Sequence, residues 1–316
     1  MFCYRNTKIA KTIFTFLNGI YVYIVHIPAM IGLLLICLLF PFPTDSSGRA
    51  PLLCMFWNVE NFLSDRGHLD AKCQGVAKTV FLAGDEFGAM PDLLGLAEVG
   101  DRDVLRRLIA RTGLRRMDYA IVHYDSPDRR GIDCALLYRR SRFRLLSSKP
   151  CHITDSLGRV LRTRDILLAE LCDLRDSSTL AVLVNHHPSK LGRGSQYRRT
   201  LAMGRLLGLR DSLLAVGVLH IVAFGDFNDE VRSAHGLERA WPRGLGTYKY
   251  QGKWSKIDGC PVLEGFRGRE HIFAAPHLSE RDAGFAGLKP RRSWSGPRYT
   301  GGLSDHYPIV LELLYL

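Results

Sequence analysis

Beyond residue 50 the chain is written as short apolar runs that halt on polar residues, with stretches of helical spacing between some of them. "LLCMFWNVE" at 52–60 predicts a strand whose polar end is Asn58 and Glu60. "PDLLGLAEVG" at 91–100 repeats the plan and ends at Glu98. In "DRDVLRRLIARTG", Val104, Leu105, Leu108 and Ile109 share one helical face and Gly113 supplies the stop. Strands are predicted again in "GIDCALLYRR" at 131–140 and in "TLAVLVNHHPSK" at 179–190, the latter ending on Asn185 and His186. The longest predicted helix covers 195–217; "VLHIVAFGDFNDE" at 218–230 follows as a strand stopping at Asp226, and "DHYPIVLELLYL" closes the chain as another. Several of these strands carry apolar residues at consecutive positions, which marks strands covered on both faces. The pattern predicts two packed sheets with helices outside them, a layered α/β sandwich.

The first 50 residues follow another rule. Residues 12–40 contain no Asp, Glu, Lys or Arg. At about 1.5 Å of rise per residue a helix of that length exceeds a hydrocarbon core of about 30 Å. Arg5, Lys8 and Lys11 precede it in a basic stretch at 1–11, which predicts a cytoplasmic N-terminus and a chain that continues outside the cytoplasm. The expectation is a membrane anchor. The alternatives are an export signal, with the protein secreted or periplasmic after cleavage near "PTDSSG", and a buried soluble helix. Residues 41–50 are rich in turn formers and read as a linker, so one domain is expected over 51–316.

Composition is that of a globular protein, 47% hydrophobic and 23% charged over 316 residues. Net charge is +12, and +9 once residues 1–50 are set aside, so the basic excess belongs to the folded part. Such an excess favours a polyanionic partner, nucleic acid or an anionic membrane face, although solubility alone also accounts for it. None of the eight cysteines forms a C-x-x-C pair, which argues against a zinc ribbon or a dithiol redox motif. Cys54 and Cys134 fall in predicted strands, where a lone cysteine serves as a small buried hydrophobe. No segment predicts a protein partner.

Each polar strand end is unremarkable alone: a turn asparagine, a loop acid, a surface histidine. Taken together, Asn58, Glu98, Asp226, Asn228, Asp258 and Asp305 are oxygen donors, and His186 and His306 can transfer protons. If the strands are neighbours these groups meet at one end of the sheets. Gathered carboxylates repel one another unless a cation neutralises them, and hard oxygen donors favour Mg²⁺, Mn²⁺ or Ca²⁺ over zinc. The histidine pair at 186–187 lacks the i, i+4 spacing of a helical zinc site.

In order along the chain, "FWNVENF", "LLGLAEV", "RGIDCALLYR", "VNHHPSK", "GDFND", "KWSKIDG" and "GGLSDHYPI" give a sequence that resembles the endonuclease/exonuclease/phosphatase superfamily over roughly residues 53–312. That superfamily includes deoxyribonuclease I, abasic-site endonucleases, neutral sphingomyelinases and inositol-polyphosphate 5-phosphatases. The resemblance implies a four-layered α/β sandwich, two mixed sheets flanked by helices, and a divalent-metal-dependent phosphoester hydrolase using Mg²⁺ or Mn²⁺, with one ion and room for a second. It implies that Asn58, Glu98 and Asp305 lie on the metal side and that Asp226 orients or deprotonates the attacking water. Asn228 then contacts the phosphate, and His306 stands beside the scissile group with Asp258 holding its ring. His186 matches a strand-end histidine preceded by Asn185 in place of the commoner Thr, so Asn185 and Arg130 become candidate substrate contacts. His187 stands where relatives carry an aromatic residue.

Nucleic acid is the favoured phosphoester on charge, with "RRTLAMGRLLGLR" and "KPRRSW" as candidate phosphate contacts and Tyr248, Tyr250 and Trp254 as candidate stacking groups. A membrane lipid and a phosphomonoester are the alternatives, and a tethered binding protein with a dead site is the non-enzymatic one.

Overall fold

The strand predicted at 52–60 shows how the layers arise. In β1 (Leu52–Phe62), Leu52, Cys54 and Phe56 join one apolar cluster while Leu53, Met55, Trp57 and Val59 join another. Both faces are therefore buried, as the run of consecutive apolar residues requires. The computed structural model of the protein describes residues 51–63, 67–296 and 298–316. The basic segment at 1–11, the anchor or export signal expected at 12–40 and the linker at 41–50 lie outside them. Among the described residues no helix is long and apolar enough to cross a membrane.

In chain order β1 is followed by α1 (Leu69–Glu86), β2 (Leu93–Val99), α2 (Arg102–Ala110), β3 (Tyr119–His123), β4 (Asp133–Arg139), β5 (Phe143–Cys151), β6 (Ile166–Asp173) and β7 (Thr179–His186). Then come α3 (Ser195–Ala215), β8 (His220–Asp226), β9 (Leu237–Arg239), the hairpin β10 (Tyr248–Tyr250) and β11 (Lys253–Ser255), β12 (Asp258–Glu264) and β13 (Phe266–Ile272). Two further hairpins, β14 (Ser279–Arg281) with β15 (Leu288–Pro290) and β16 (Trp294–Ser295) with β17 (Arg298–Tyr299), precede the closing β18 (Ile309–Tyr315).

Seven strands form one sheet in the order β3-β4-β2-β1-β18-β13-β9 and five form the other in the order β12-β8-β7-β6-β5. Both are mixed: β1 pairs parallel with β2 and β7 parallel with β8, while β18 and β12 run antiparallel to β1 and β8. The layer between the sheets contains Leu52 and Phe56, Leu180, Val182 and Val184, and Val222 and Phe224. Outside the larger sheet, Val76 and Val80 of α1 and Leu105 and Leu108 of α2 pack on the second face of β1 and β2. Outside the smaller sheet, Leu206, Leu209 and Leu213 of α3 pack on Ala181, Leu183, Ile221 and Ala223. Helices, sheet, sheet and helix make the four layers. The sheets approach closely at Gly95, where a Cβ would collide with the ring of Phe224. All six cysteines among the described residues are buried and free.

Candidate active site

Two parallel strand pairs place four polar strand ends on one rim. Asn58, opposite Ala97, and Glu98 come from β1 and β2; His186 and Asp226, from β7 and β8, are directly in register. At both strand ends of the larger sheet the regular pairing breaks, between Asn58 and Phe62 and between Ala97 and Val99. Such irregularities re-aim side chains. The backbone is strained in the same places: Glu60, Asn61, Glu98 and Asn228 have φ values of 43°, 50°, 61° and 51°. A non-glycine residue held there costs of the order of 1–3 kcal/mol, a cost that clusters at functional sites.

Asp258 begins β12 directly opposite Asp226. The segment before β18 is tied to β1 by Ser304 Oγ donating to the Asn58 carbonyl at 2.6 Å and by Trp57 Nε1 donating to the His306 carbonyl at 2.9 Å. The result is a cleft of about 600 Å³ lined by Asn58, Glu98, His186, Asp226, Asn228, Asp305 and His306, with Arg130, Tyr248 and Tyr250 also on its wall. Glu98 and Asp305, from opposite ends of the sequence, face this one cavity.

Asp226 is its hub. Its Oδ2 accepts from Asn58 Nδ2 at 3.0 Å, its Oδ1 accepts from the Asn228 amide at 2.9 Å, and His306 Nε2 stands 3.9 Å away. Burial and the neighbouring Asp258 carboxylate push its pKa up to about 7, against the opposing pull of His306, Asn58 and Asn228. His306 Nδ1 meets Asp258 Oδ2 at 2.9 Å. Burial disfavours the imidazolium, but Asp258, Asp226 and Asp305 outweigh it and hold the ring's pKa well above the ordinary histidine range. His186 is the reverse case: burial and the nearby Arg164 and Arg130 drive its pKa well down, so the ring is neutral at pH 7. Its Nε2 lies 3.7 Å from Asp226 Oδ2 and 4.0 Å from Glu98 Oε1. The arrangement can thus take a proton on Asp226 near neutrality and present a positive charge at His306.

Several sequence expectations need correction. Asn185 does not reach the cleft: it is fully buried, and its amide donates to the Leu183 and Phe224 carbonyls at 3.0 and 3.3 Å, closing the strand ends. His187 is also buried, its ring edge-on to Phe227, and burial with Arg164 and Arg199 drives its pKa down to about 3. In "KPRRSW", Arg291 donates to the Thr300 carbonyl, while Arg292 lines the cleft and pairs with Asp305 at 3.1 Å and Glu60 at 3.2 Å. In α3, Arg199 is held by Asp229, Gln196 and the Ser189 carbonyl, and Arg210 by Asp211, whereas Arg198 of the same stretch lines a cavity beside the cleft. Trp254 stacks on Tyr307 and does not line the cleft, whereas Tyr248 and Tyr250 do.

Glu60 and Arg164 line the cleft without a role in the sequence reading, and Arg292 has a different one from the phosphate contact expected. Glu60, two positions after Asn58 in the same motif, accepts from the Ser293 amide at 2.6 Å, and burial and Asp305 raise its pKa. Arg164 shares Asp128 with Arg130, each at 3.1 Å. Arg292 bridges two of the acids. The alternation of "NVE" contained a signal for Glu60; nothing in the loop sequence around Arg164 distinguished it from a solvated arginine.

The donor set suits a hard divalent cation. Glu60, Glu98, Asp226 and Asp305 open on one cavity, and burial first, then the neighbouring Asp305 and Asp258 carboxylates, raise the pKa values of Glu60 and Asp226. Asp226, Asp258 and His306 place ligand-type atoms within 4.8 Å of one another, but His306 is committed to Asp258. Glu98, which accepts from Asn58 Nδ2 and the Asn61 amide, Asp305, which pairs with Arg292, and the Asn58 amide oxygen, which accepts from the Glu60 amide, are the remaining oxygen donors that a hard divalent cation would share.

A family model described as Endonuclease/Exonuclease/phosphatase family matches residues 60–240 and 236–314. The chain belongs to this family. The endonuclease/exonuclease/phosphatase superfamily consists of phosphoester hydrolases, and the protein is one by membership. No curated protein sequence matches the chain. Among solved structures, a mannosyl-6-phosphatase from Bacteroides thetaiotaomicron is 14% identical with a TM-score of 0.57, covering 84% of this chain and 100% of its own. The human Nocturnin catalytic domain is 17% identical with a TM-score of 0.56, covering 84% and 94%. Truncated Caenorhabditis elegans TDP2 is 18% identical with a TM-score of 0.56, covering 84% and 97%. At these identities the likeness establishes the shared four-layered fold.

Proposed function

We propose that the protein is a divalent-cation-dependent phosphodiesterase that cleaves nucleic acid by attack of a water activated at Asp226. The observation that carries this reading is the hub itself: a buried carboxylate with its pKa near 7, fixed by Asn58 and Asn228 and facing a His306 that Asp258 keeps protonated. A general base works best when its pKa lies near the working pH. Asp226 takes the water's proton. His306, Asn228, Asn58 and the neutral His186 contact the phosphate oxygens, and their hydrogen bonds strengthen as negative charge builds on them. Asp258 fixes the ring and tautomer of His306. Arg130 approaches the phosphate from the cleft wall. A Mg²⁺ or Mn²⁺ ion held by Glu98, Asp305 and Asn58 would supply Lewis acidity to the phosphoryl group.

Nucleic acid is favoured by the +9 charge of residues 51–316 and by two tyrosines on the cleft wall. The charge-free segment at 12–40 favours a second reading, a lipid phosphodiesterase held at a membrane. On either reading we assign 51–316 as the catalytic unit, outside the cytoplasm, and 12–40 as its anchor or cleaved export signal. The test is a panel with Mg²⁺: plasmid DNA, sphingomyelin vesicles and p-nitrophenyl phosphate, with the product ends determined. Nicked plasmid with defined ends supports the nuclease reading. Hydrolysis of the lipid alone, or of the monoester alone, replaces it.

A further inference from the structure

A second cavity, of about 290 Å³, opens beside the catalytic cleft and shares Arg130, Arg164, Ser189 and Leu191 with it. Five of its lining residues are arginines, 129, 130, 162, 164 and 198, and Asp128 is the one acid among them. Asp128 is already taken by Arg130 and Arg164, both at 3.1 Å. Among the described residues no carboxylate pairs with Arg129, Arg162 or Arg198. Three polar atoms of its lining residues, Thr163 Oγ1, Arg164 Nε and Arg198 Nε, are buried without a hydrogen-bond partner, and Thr163 and Arg164 are only 4% and 3% exposed. Folding gathers like charges in this way at a cost, and an anion entering the cavity reverses its sign. The guanidinium fork matches the tetrahedral oxygens of a phosphate.

We propose that this cavity binds a second phosphate of the substrate, linked to the scissile phosphodiester seated in the cleft. The preferred substrate is then a molecule with phosphates in series, as a polynucleotide strand has. The inference rests on the phosphodiesterase reading and deepens it, because an isolated phosphodiester leaves the arginine cavity empty. Arg130 and Arg164, on the shared wall, join the two subsites.

The experiment compares the full-length protein with its Arg162→Ala/Arg198→Ala and Arg162→Lys/Arg198→Lys variants, with circular dichroism as the check on folding. Three substrates are used: a dinucleotide, the same dinucleotide carrying a 5′- or a 3′-terminal phosphate, and bis(p-nitrophenyl) phosphate. The wild type is expected to prefer a terminally phosphorylated dinucleotide by about tenfold or more in kcat/KM, the value of one or two charge-assisted hydrogen bonds. In the alanine variant the preference should shrink to about twofold, with bis(p-nitrophenyl) phosphate turnover following the unphosphorylated dinucleotide; the lysine variant should recover part of it. An equal preference in wild type and alanine variant overturns the proposal. A wild type that hydrolyses none of the three overturns the phosphodiesterase reading instead. The cavity is then judged by calorimetric titration with inorganic pyrophosphate in EDTA: binding weakened about tenfold in the alanine variant supports it, and unchanged or absent binding refutes it.

Discussion

Replacing Asp258 by Asn isolates the part of the mechanism that geometry specifies most tightly. The substitution keeps shape and the main-chain pairing opposite Asp226 but removes the charge that faces His306 Nδ1 at 2.9 Å. Both side chains are buried, so solvent screens this pair little. A charge-assisted hydrogen bond of this kind is worth about 1.5–3 kcal/mol, which converts to a loss of about 10- to 150-fold in turnover if the imidazolium acts on the developing phosphate charge. The pH dependence has a definite sign. Burial lowers the His306 pKa while Asp258, Asp226 and Asp305 raise it further, so the wild-type ring stays protonated across neutrality. Without Asp258 its pKa falls, and the alkaline limb of the rate profile moves to lower pH. Bis(p-nitrophenyl) phosphate hydrolysis with Mg²⁺ between pH 5 and pH 10 measures both effects. Introducing Asp258→Asn into a His306→Gln background should add almost nothing, because the two act as one unit. A singly substituted Asp258→Asn enzyme with full turnover and an unshifted profile would refute the assignment.

Other perturbations follow from the same geometry. Gly225→Ala places a Cβ against the Asn185 carbonyl beside Asp226, so it should lose about 1–3 kcal/mol in chemical denaturation and lower turnover together. Asp133 is buried, and its pKa is raised to about 6 chiefly by burial. A raised carboxylate pKa means the folded state holds the proton longer, so stability falls as pH rises from about 4 to 6. Asp133→Asn should therefore gain up to about 3 kcal/mol on wild type between pH 4 and pH 8 in urea titrations. Arg292→Ala removes the countercharge of Glu60 and Asp305, and should lower the metal-free Tm while enlarging the Tm rise on adding Mg²⁺.

Much of the architecture could be read because strands buried on both faces leave unbroken apolar runs. β1, β2, β7, β8 and β18 each stood out in this way, as did α2 through its spacing and α3 as the longest predicted helix. Helix α1 did not: its buried face includes Lys72 and Thr79, whose side chains are satisfied by the Glu60 carbonyl and His277 and so need no apolar identity. β5 pairs at the sheet edge with exposed and buried positions mixed, leaving little pattern. Within the site, residues at strand ends were legible because a polar stop after an apolar run has a fixed place in space. Arg164 and Arg292 reach the cleft from loops whose paths depend on tertiary contacts. Asn185 misled for the opposite reason: it sits at a strand end, yet its side chain closes main-chain carbonyls beneath the rim.

The most direct measurement is phosphodiester turnover by the full-length protein stripped with EDTA and then given Mg²⁺, beside an Asp226→Ala variant shown to be folded by circular dichroism. Hydrolysis that returns only with the cation, and falls by about 10³-fold or more in the variant, is the predicted result. Turnover that persists in EDTA, or an Asp226→Ala protein as active as the wild type, would contradict an account in which that carboxylate activates the water beside a bound ion.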